Sequence, residues 1–223
     1  MIFEKNEQSV CFVHIPRNGG RHFISLLKKN SYIQNKKCKE IFYTHFYKDS
    51  EYMHITYEEL KDIHGELKNS KKIVIFRNPL DHFLSTVNSE WSMKLFFGGY
   101  ENFHLMNDPI YFKYVMKEKP YSLRTKGKYF NFKGLTNVFN NWFKPQVDFF
   151  NEDFYVWKFE NGFEDNFIEF LSKDVGLDIN INVKDIYDRA FYDDKITDFS
   201  LSEELKENVL NFYRKDYEFW KQL

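Results

Sequence analysis

The pattern of apolar and polar positions predicts strands and helices in alternation over the first 92 residues. Val10 to Ile15 (VCFVHI) is a short, mostly apolar run closed by Pro16; Asn18-Gly19-Gly20 follows, and then Phe23, Leu26 and Leu27 recur at helical spacing. That order reads as strand, glycine turn and helix, because a short apolar run suits a buried strand while spacings of three and four place residues on one helix face. Ile41 to Phe46 is a candidate second strand, and Tyr57 to Leu67 sets Tyr57, Leu60, His64 and Leu67 on one face of a short helix. Lys71 to Phe76 (KKIVIF) is the most strand-like segment of the chain. Pro79 suits the first turn of a helix, where its missing N–H is no loss, and Leu80, Phe83, Leu84 and Val87 are the predicted buried face. Such alternation predicts an α/β fold: a central parallel β-sheet flanked by helices.

Between Met93 and Gly134 the periodicity fades. Over 113–133, Lys113, Lys117, Lys119, Arg124, Lys126, Lys128 and Lys133 face a single acid, Glu118, and the segment 93–134 reads as a lid or acceptor-binding insertion, or as a plain surface loop. A helix is predicted around Leu135 to Val147, a strand over Phe154 to Phe159 (FYVWKF), and a helix carrying the stripe Phe163, Phe167, Phe170 and Leu171. Ser200 with Glu203 forms a candidate capping box ahead of a last helix bearing Leu205, Val209, Phe212 and Tyr213. Neither an internal repeat nor a low-complexity linker is present.

Composition narrows the picture. At 223 residues, 43% hydrophobic and 20% aromatic, the chain suits one packed domain over 1–223. The 26 Phe and 15 Tyr are first of all core material; Trp91, Tyr100 and Tyr129 are candidates for stacking on a base or a sugar. The net charge of -1 hides an asymmetry: residues 1–147 hold 23 Lys and Arg against 14 acids, and residues 148–223 hold 9 against 19. A basic half suits a polyanionic ligand, and two differently solvated faces would read the same way. The two cysteines, Cys11 and Cys38, cannot build a disulfide framework, and Cys11 sits in an apolar run as a small buried hydrophobe. No CxxC pair, HExxH or EF-hand pattern occurs, so no metal is expected. Without an apolar run of about 20 residues or a signal-peptide core, the expectation is a cytoplasmic protein with no membrane segment.

Two turns carry candidate chemistry. A strand that delivers a glycine turn into a helix N-terminus presents amide N–H groups without intrahelical partners, adds the positive end of the helix dipole, and lets an anion approach the backbone. His14-Ile-Pro-Arg-Asn-Gly-Gly-Arg21 has that form, with Arg17 and Arg21 flanking the turn. It lacks the longer loop and fixed lysine of a Walker A motif, which disfavours an ordinary P-loop kinase. The second turn is Phe76-Arg-Asn-Pro-Leu-Asp-His-Phe-Leu-Ser85. There Arg77 ends a strand and Ser85 lies about two helical turns further on, so a guanidinium and a hydroxyl are available to phosphate oxygens. Alone, either residue is as well explained by a structural ion pair or a helix surface. Together, two such turns on the rim where open α/β sheets bind ligands imply a ligand with phosphates at two ends.

These residues resemble the PAPS-dependent sulfotransferases, and most closely the Golgi-type carbohydrate enzymes. HIPRNGG is similar to their IPKTGG loop for the 5'-phosphosulfate of PAPS (3'-phosphoadenosine 5'-phosphosulfate), and IFRNPLDHFLS to their 3'-phosphate motif VRNPxxRxxS. FYVWKFENGF resembles the strand ending in FEN, and YRKDYEF (Tyr213 to Phe219) the closing segment, so the likeness runs in order over nearly the whole chain. It departs from the family pattern at Arg17 (lysine in the family), Asn18 (threonine), Arg21 and His22 (hydroxyl residues) and His82 (arginine). The resemblance implies a P-loop-like sulfotransferase fold and sulfuryl transfer from PAPS to a hydroxyl, with a carbohydrate or related acceptor and no nucleic-acid partner. Arg17 is the implied cation on the leaving group. Arg17, the amides of Asn18, Gly19 and Gly20, and Arg21 would take the 5' end; Arg77 and Ser85 would take the 3'-phosphate.

His54, in MHITY, resembles the histidine base of the uronyl 2-O-sulfotransferases in local pattern and in distance upstream of Arg77. A ring with a pKa near 6.5 suits that role. His45 is the second candidate; His22 suits either a base or a phosphate ligand, and Glu90 and Glu160 stay open as carboxylate bases. Two other readings accompany this one. A degenerate sulfotransferase fold would bind nucleotide or anionic glycan without catalysis, and an atypical nucleotide-dependent phosphotransferase would need a loop unlike any Walker A.

Overall fold

A computed structural model describes residues 1–35, 46–47, 50–87, 124–125, 128–129, 141–181 and 201–223. Its centre is a mixed five-stranded sheet of β1 (Ile2–Lys5), β2 (Gln8–Val13), β3 (Ile33–Gln34), β4 (Lys71–Phe76) and β5 (Tyr155–Lys158), in the order β3-β1-β2-β4-β5. Strands β2, β4 and β5 are parallel, with Phe12 opposite Ile73 and Ile73 opposite Tyr155. β4 and β5 fall inside segments that the apolar runs predict, while β2 overlaps its predicted run, Val10 to Ile15, but starts two residues earlier at Gln8 and ends at Val13. The sheet is not parallel throughout, however. β1 folds back antiparallel on β2, and β3 pairs antiparallel with β1. The reversal turns on Asn6, whose φ of 51 is a left-handed conformation that asparagine tolerates well. IFEK is too short to declare itself as a strand, yet its Phe3 is fully buried and the Met1 amine donates to the Phe12 carbonyl at 2.6 Å.

The helices are α1 (Gly20–Lys29), α2 (Tyr57–His64), α3 (Pro79–Val87), α4 (Asp165–Glu169), α5 (Glu203–Phe212) and α6 (Arg214–Trp220). α1 buries Phe23, Leu26 and Leu27, as its spacing predicts. α2 starts at a true capping box: the Glu59 amide donates to the Thr56 hydroxyl and the Thr56 amide to the Glu59 carboxylate. α3 begins at Pro79 but is rotated from the predicted face: Pro79, His82, Phe83 and Thr86 are buried, while Leu80 and Leu84 are half-buried. Polar partners cause the rotation, since His82 turns inward to bond a carbonyl of the neighbouring turn. α4 runs on into a π turn over Phe170–Asp174, with Phe167 and Leu171 buried.

Two predictions near the C-terminal half are corrected. Where the predicted helix over 135–147 is described, residues 141–145 make turns and Gln146–Phe149 a 3-10 turn, because Pro145 cannot sit inside a helix. The cap of α5 is Ser202, whose hydroxyl accepts from the Leu205 amide, so Glu203 is the first helical residue rather than the third; Ser200 lies outside the described residues. Phe212 is 39% exposed, while Leu205, Val209 and Tyr213 are buried. Two small hairpins pair Phe46–Tyr47 with Ser50–Glu51 and Arg124–Thr125 with Lys128–Tyr129. The rest of the segment 93–134, the candidate strand up to Phe46, Cys38, His45, Glu90, Trp91 and Tyr100 lie outside the described residues. Cys11 is buried and unbridged. Among the described residues no helix is long and apolar enough to cross a membrane.

Candidate active site

Because β2 and β4 are adjacent and parallel, the turns that leave their carboxyl ends share one rim. The first turn is shaped by close packing. Gly19 caps α1 with φ 75, and Arg17 takes a left-handed φ of 63, a conformation that strains any residue with a Cβ. A Cβ on Gly20 would fall 1.9 Å from the His14 ring, and one on Gly19 would fall 2.5 Å from Phe163. So His14, from the strand end, and Phe163, just after the FEN turn, close on the glycines from two directions. Among the described α-helices only α1 has no acid in its first turn; Arg21 and His22 stand there instead. The charge of Arg21 adds to the positive potential at that end of the helix dipole.

The second turn reaches across to the first. Arg77 Nη1 donates to the Arg17 carbonyl at 3.0 Å, and its guanidinium lies 4.4 Å from the centre of the Phe159 ring. Arg17 Nε in turn donates to the Ser85 hydroxyl at 3.3 Å. His82 Nε2 donates to the Pro16 carbonyl at 3.0 Å, which makes Nδ1 the bare nitrogen. Burial, followed by the charge of Arg77, pushes the His82 pKa down to about 3, so the ring is neutral. Burial also lowers the Arg77 pKa, although Asp81 and Glu160 oppose the shift. Glu160 accepts from the Asn78 amide (2.6 Å) and from the Trp220 indole (3.0 Å), so both its oxygens are engaged in tying FEN to the second turn and to α6.

Gln146, which no sequence pattern singled out, joins the two turns from behind. Its Oε1 accepts from Asn18 Nδ2 (2.6 Å) and from the Arg77 amide (3.0 Å), and its Nε2 donates to the Arg77 carbonyl (2.9 Å). Asn18 Nδ2 also donates to the Ile75 carbonyl at 2.8 Å, and its own amide to the Ile15 carbonyl at 3.4 Å, so Asn18 faces inward. The Gln146 and Val147 amides donate to the two oxygens of Asp216, at 2.8 and 3.0 Å. Burial pushes the Asp216 carboxyl up to about 7 against the pull of those amides. One signal for Asp216 was present: it follows Val209 and Tyr213 at helical spacing and so shares their buried face. Gln146 had none, because its partners are far away in the chain.

His54 is buried in a 3-10 turn, Tyr52–His54, and its Nδ1 donates to the His14 carbonyl at 3.0 Å. Its ring centre is 4.5 Å from that of His14, so His54 stands one ring away from Gly20. Burial, then the proximity of His54, holds the His14 pKa well below the usual histidine range. His22 packs on Phe163 at 5.0 Å, and burial lowers its pKa too. Around the two turns, His14 Nδ1, Asn18 Oδ1, His22 Nε2, Arg77 Nε and His82 Nδ1 are buried with no hydrogen-bond partner among the described residues. Such atoms ordinarily mark a bound water or ligand. No group of three metal-ligating side chains occurs among the described residues. No protein-family model, curated protein or solved structure matches this chain.

Proposed function

We propose that the protein is a sulfotransferase that moves the sulfuryl group of PAPS to a hydroxyl, with a carbohydrate as acceptor, on a P-loop-like sulfotransferase fold. The observation that carries this reading is the joining of the two anion turns: Arg77 reaches the Arg17 carbonyl, and Arg17 reaches Ser85, across the carboxyl ends of two parallel strands. The donor set fits an anionic nucleotide, since Arg21 at the start of α1 sets a positive charge beside the glycine turn and Arg77 Nε is buried without a hydrogen-bond partner among the described residues. When bound, PAPS supplies the activated sulfuryl group. Arg17, Arg21 and the amides of Gly19 and Gly20 would hold its 5' end, with Arg17 as the cation at the leaving oxygen, and Arg77 and Ser85 its 3'-phosphate. Asn18 shapes the loop from within. His54, oriented by its Nδ1 bond to the His14 carbonyl, would be the base for the acceptor proton.

A second reading rests on a specific observation. Arg77 and His82 donate to the Arg17 and Pro16 carbonyls, which is what a recognition module with a fixed loop would also need. Transfer of radiolabelled sulfate from PAPS to a panel of glycans and small alcohols tests the proposal directly. Transfer that is lost in His54→Ala while 3'-phosphoadenosine 5'-phosphate (PAP) still binds supports it. PAP binding with no transfer to any acceptor favours the module. ATP binding in preference to PAP would point to a phosphotransferase.

A further inference from the structure

Asn18 and Arg77 belong to different turns, and their common partner is the side chain of one fully buried residue, Gln146. Its amide pairs with both the N–H and the C=O of Arg77, as a neighbouring strand would, and its oxygen is shared with Asn18. The backbone of Gln146 is fixed in turn by Asp216 from α6. Tyr213 adds a parallel tie by donating to the Phe143 carbonyl at 2.9 Å. The segment 143–147 is thus pinned from the C-terminal helices and pins the anion turns at its other end. Only a group with one donor and one acceptor satisfies this place: the acceptor faces two N–H groups, and the donor faces a carbonyl.

We infer that Gln146, held by Asp216, is a positioning residue that sets the separation of the two anion turns and thereby the affinity for a doubly phosphorylated nucleotide. Gln146 touches no ligand in this scheme; it acts through the main chain of Arg77 and the side chain of Asn18. The inference rests on the proposed PAPS reading.

The decisive variant is Gln146→Glu. Its ionised carboxylate would set an oxygen against the Arg77 carbonyl, losing one hydrogen bond and leaving that carbonyl unsatisfied, which should weaken PAP binding by about tenfold or more. Protonation restores one donor and one acceptor on the same shape. PAP affinity, by calorimetry at pH 8 and pH 5.5 and as a ratio to the wild type, is therefore expected to be lost at the higher pH and regained at the lower. Circular dichroism checks that the variant is folded at both. Equal affinity to the wild type at pH 8, or a loss that acidification does not repair, would overturn the inference while leaving the PAPS reading intact. Failure of the wild type to bind PAP would overturn both. If Gln146→Glu does not fold at pH 8, Asp216→Asn carries the same expectation. It turns an amide N–H toward one of the two backbone N–H groups, and PAP affinity should fall several-fold in a folded protein; unchanged affinity sinks the inference.

Discussion

The glycines of the turn after β2 are shaped by contact distances, whereas Arg77 in the turn after β4 is held by hydrogen bonds. In the first, Gly19 and Gly20 lie against the Phe163 and His14 rings with no room for a Cβ. In the second, the backbone of Arg77 is gripped by Gln146 and its guanidinium by the Arg17 carbonyl and the Phe159 ring. Steric shaping is insensitive to charge and pH; polar shaping depends on which groups are ionised and which side chains carry donors. The anion site proposed for these two turns can therefore lose either half separately.

The first half should break hardest. Gly20→Ala drives its methyl into a buried ring and should cost about 3 kcal/mol, near the top of the overpacking range, read as a shift in the urea unfolding midpoint. Gly162→Ala is the control. Unlike Gly20 it has a positive φ, 77, and open space around it, so only conformational strain of about 1 to 2 kcal/mol should appear. Equal costs at the two positions would show that packing against His14 does not shape the turn.

The second half should fail in binding more than in stability. Arg77→Lys keeps the charge but loses the planar group that stacks on Phe159 and bonds the Arg17 carbonyl, so PAP affinity should drop by at least tenfold, on the order of one charge-assisted hydrogen bond. Calorimetry on a variant of near-wild-type stability checks this.

A pH experiment sharpens the contrast. His82 is neutral in the folded protein, with its pKa at about 3 against 6.5 when unfolded. Its contribution is therefore complete above pH 6.5 and is lost as pH falls toward 3. Asp216 has the opposite sign: its carboxyl, raised to about 7, contributes stability that is full below the ordinary aspartate pKa of 3.8 and is lost as pH rises through 7. Whole-protein curves mix the two, so the useful quantity is the difference between wild type and His82→Gln, which keeps an N–H for the Pro16 carbonyl. That difference should shift by about 2 kcal/mol against the wild type between pH 7 and pH 5; a flat difference would mean that His82 is not buried neutral. The smallest effect belongs to Ser85→Ala, which removes one long contact to Arg17 and should cost about 0.5 kcal/mol of stability.

Much of the scaffold was legible because it is written in short-range patterns. KKIVIF and FYVWKF each contain a strand of the parallel core, VCFVHI overlaps the third, and Pro79 opens α3 where the chain leaves the sheet. The N-terminal hairpin escaped because its strand is four residues long with charges at one end. The buried face of α3 escaped for a different reason: His82 and Thr86 are polar, and hydrophobic periodicity cannot register a histidine that turns inward to meet a carbonyl.

What the sequence by itself determined is the order of strand, turn and helix, and the position of both candidate anion turns within it, since each depends on residues a few places apart. The tertiary structure alone decided that Gln146 would bind the Arg77 main chain 69 residues away and that Asp216 would hold Gln146 from a further 70. Hydrogen bonds between distant segments leave no spacing to read. They form only after the apolar core has brought strand ends and helices together, and there burial makes an unpartnered donor costly enough to select its acceptor.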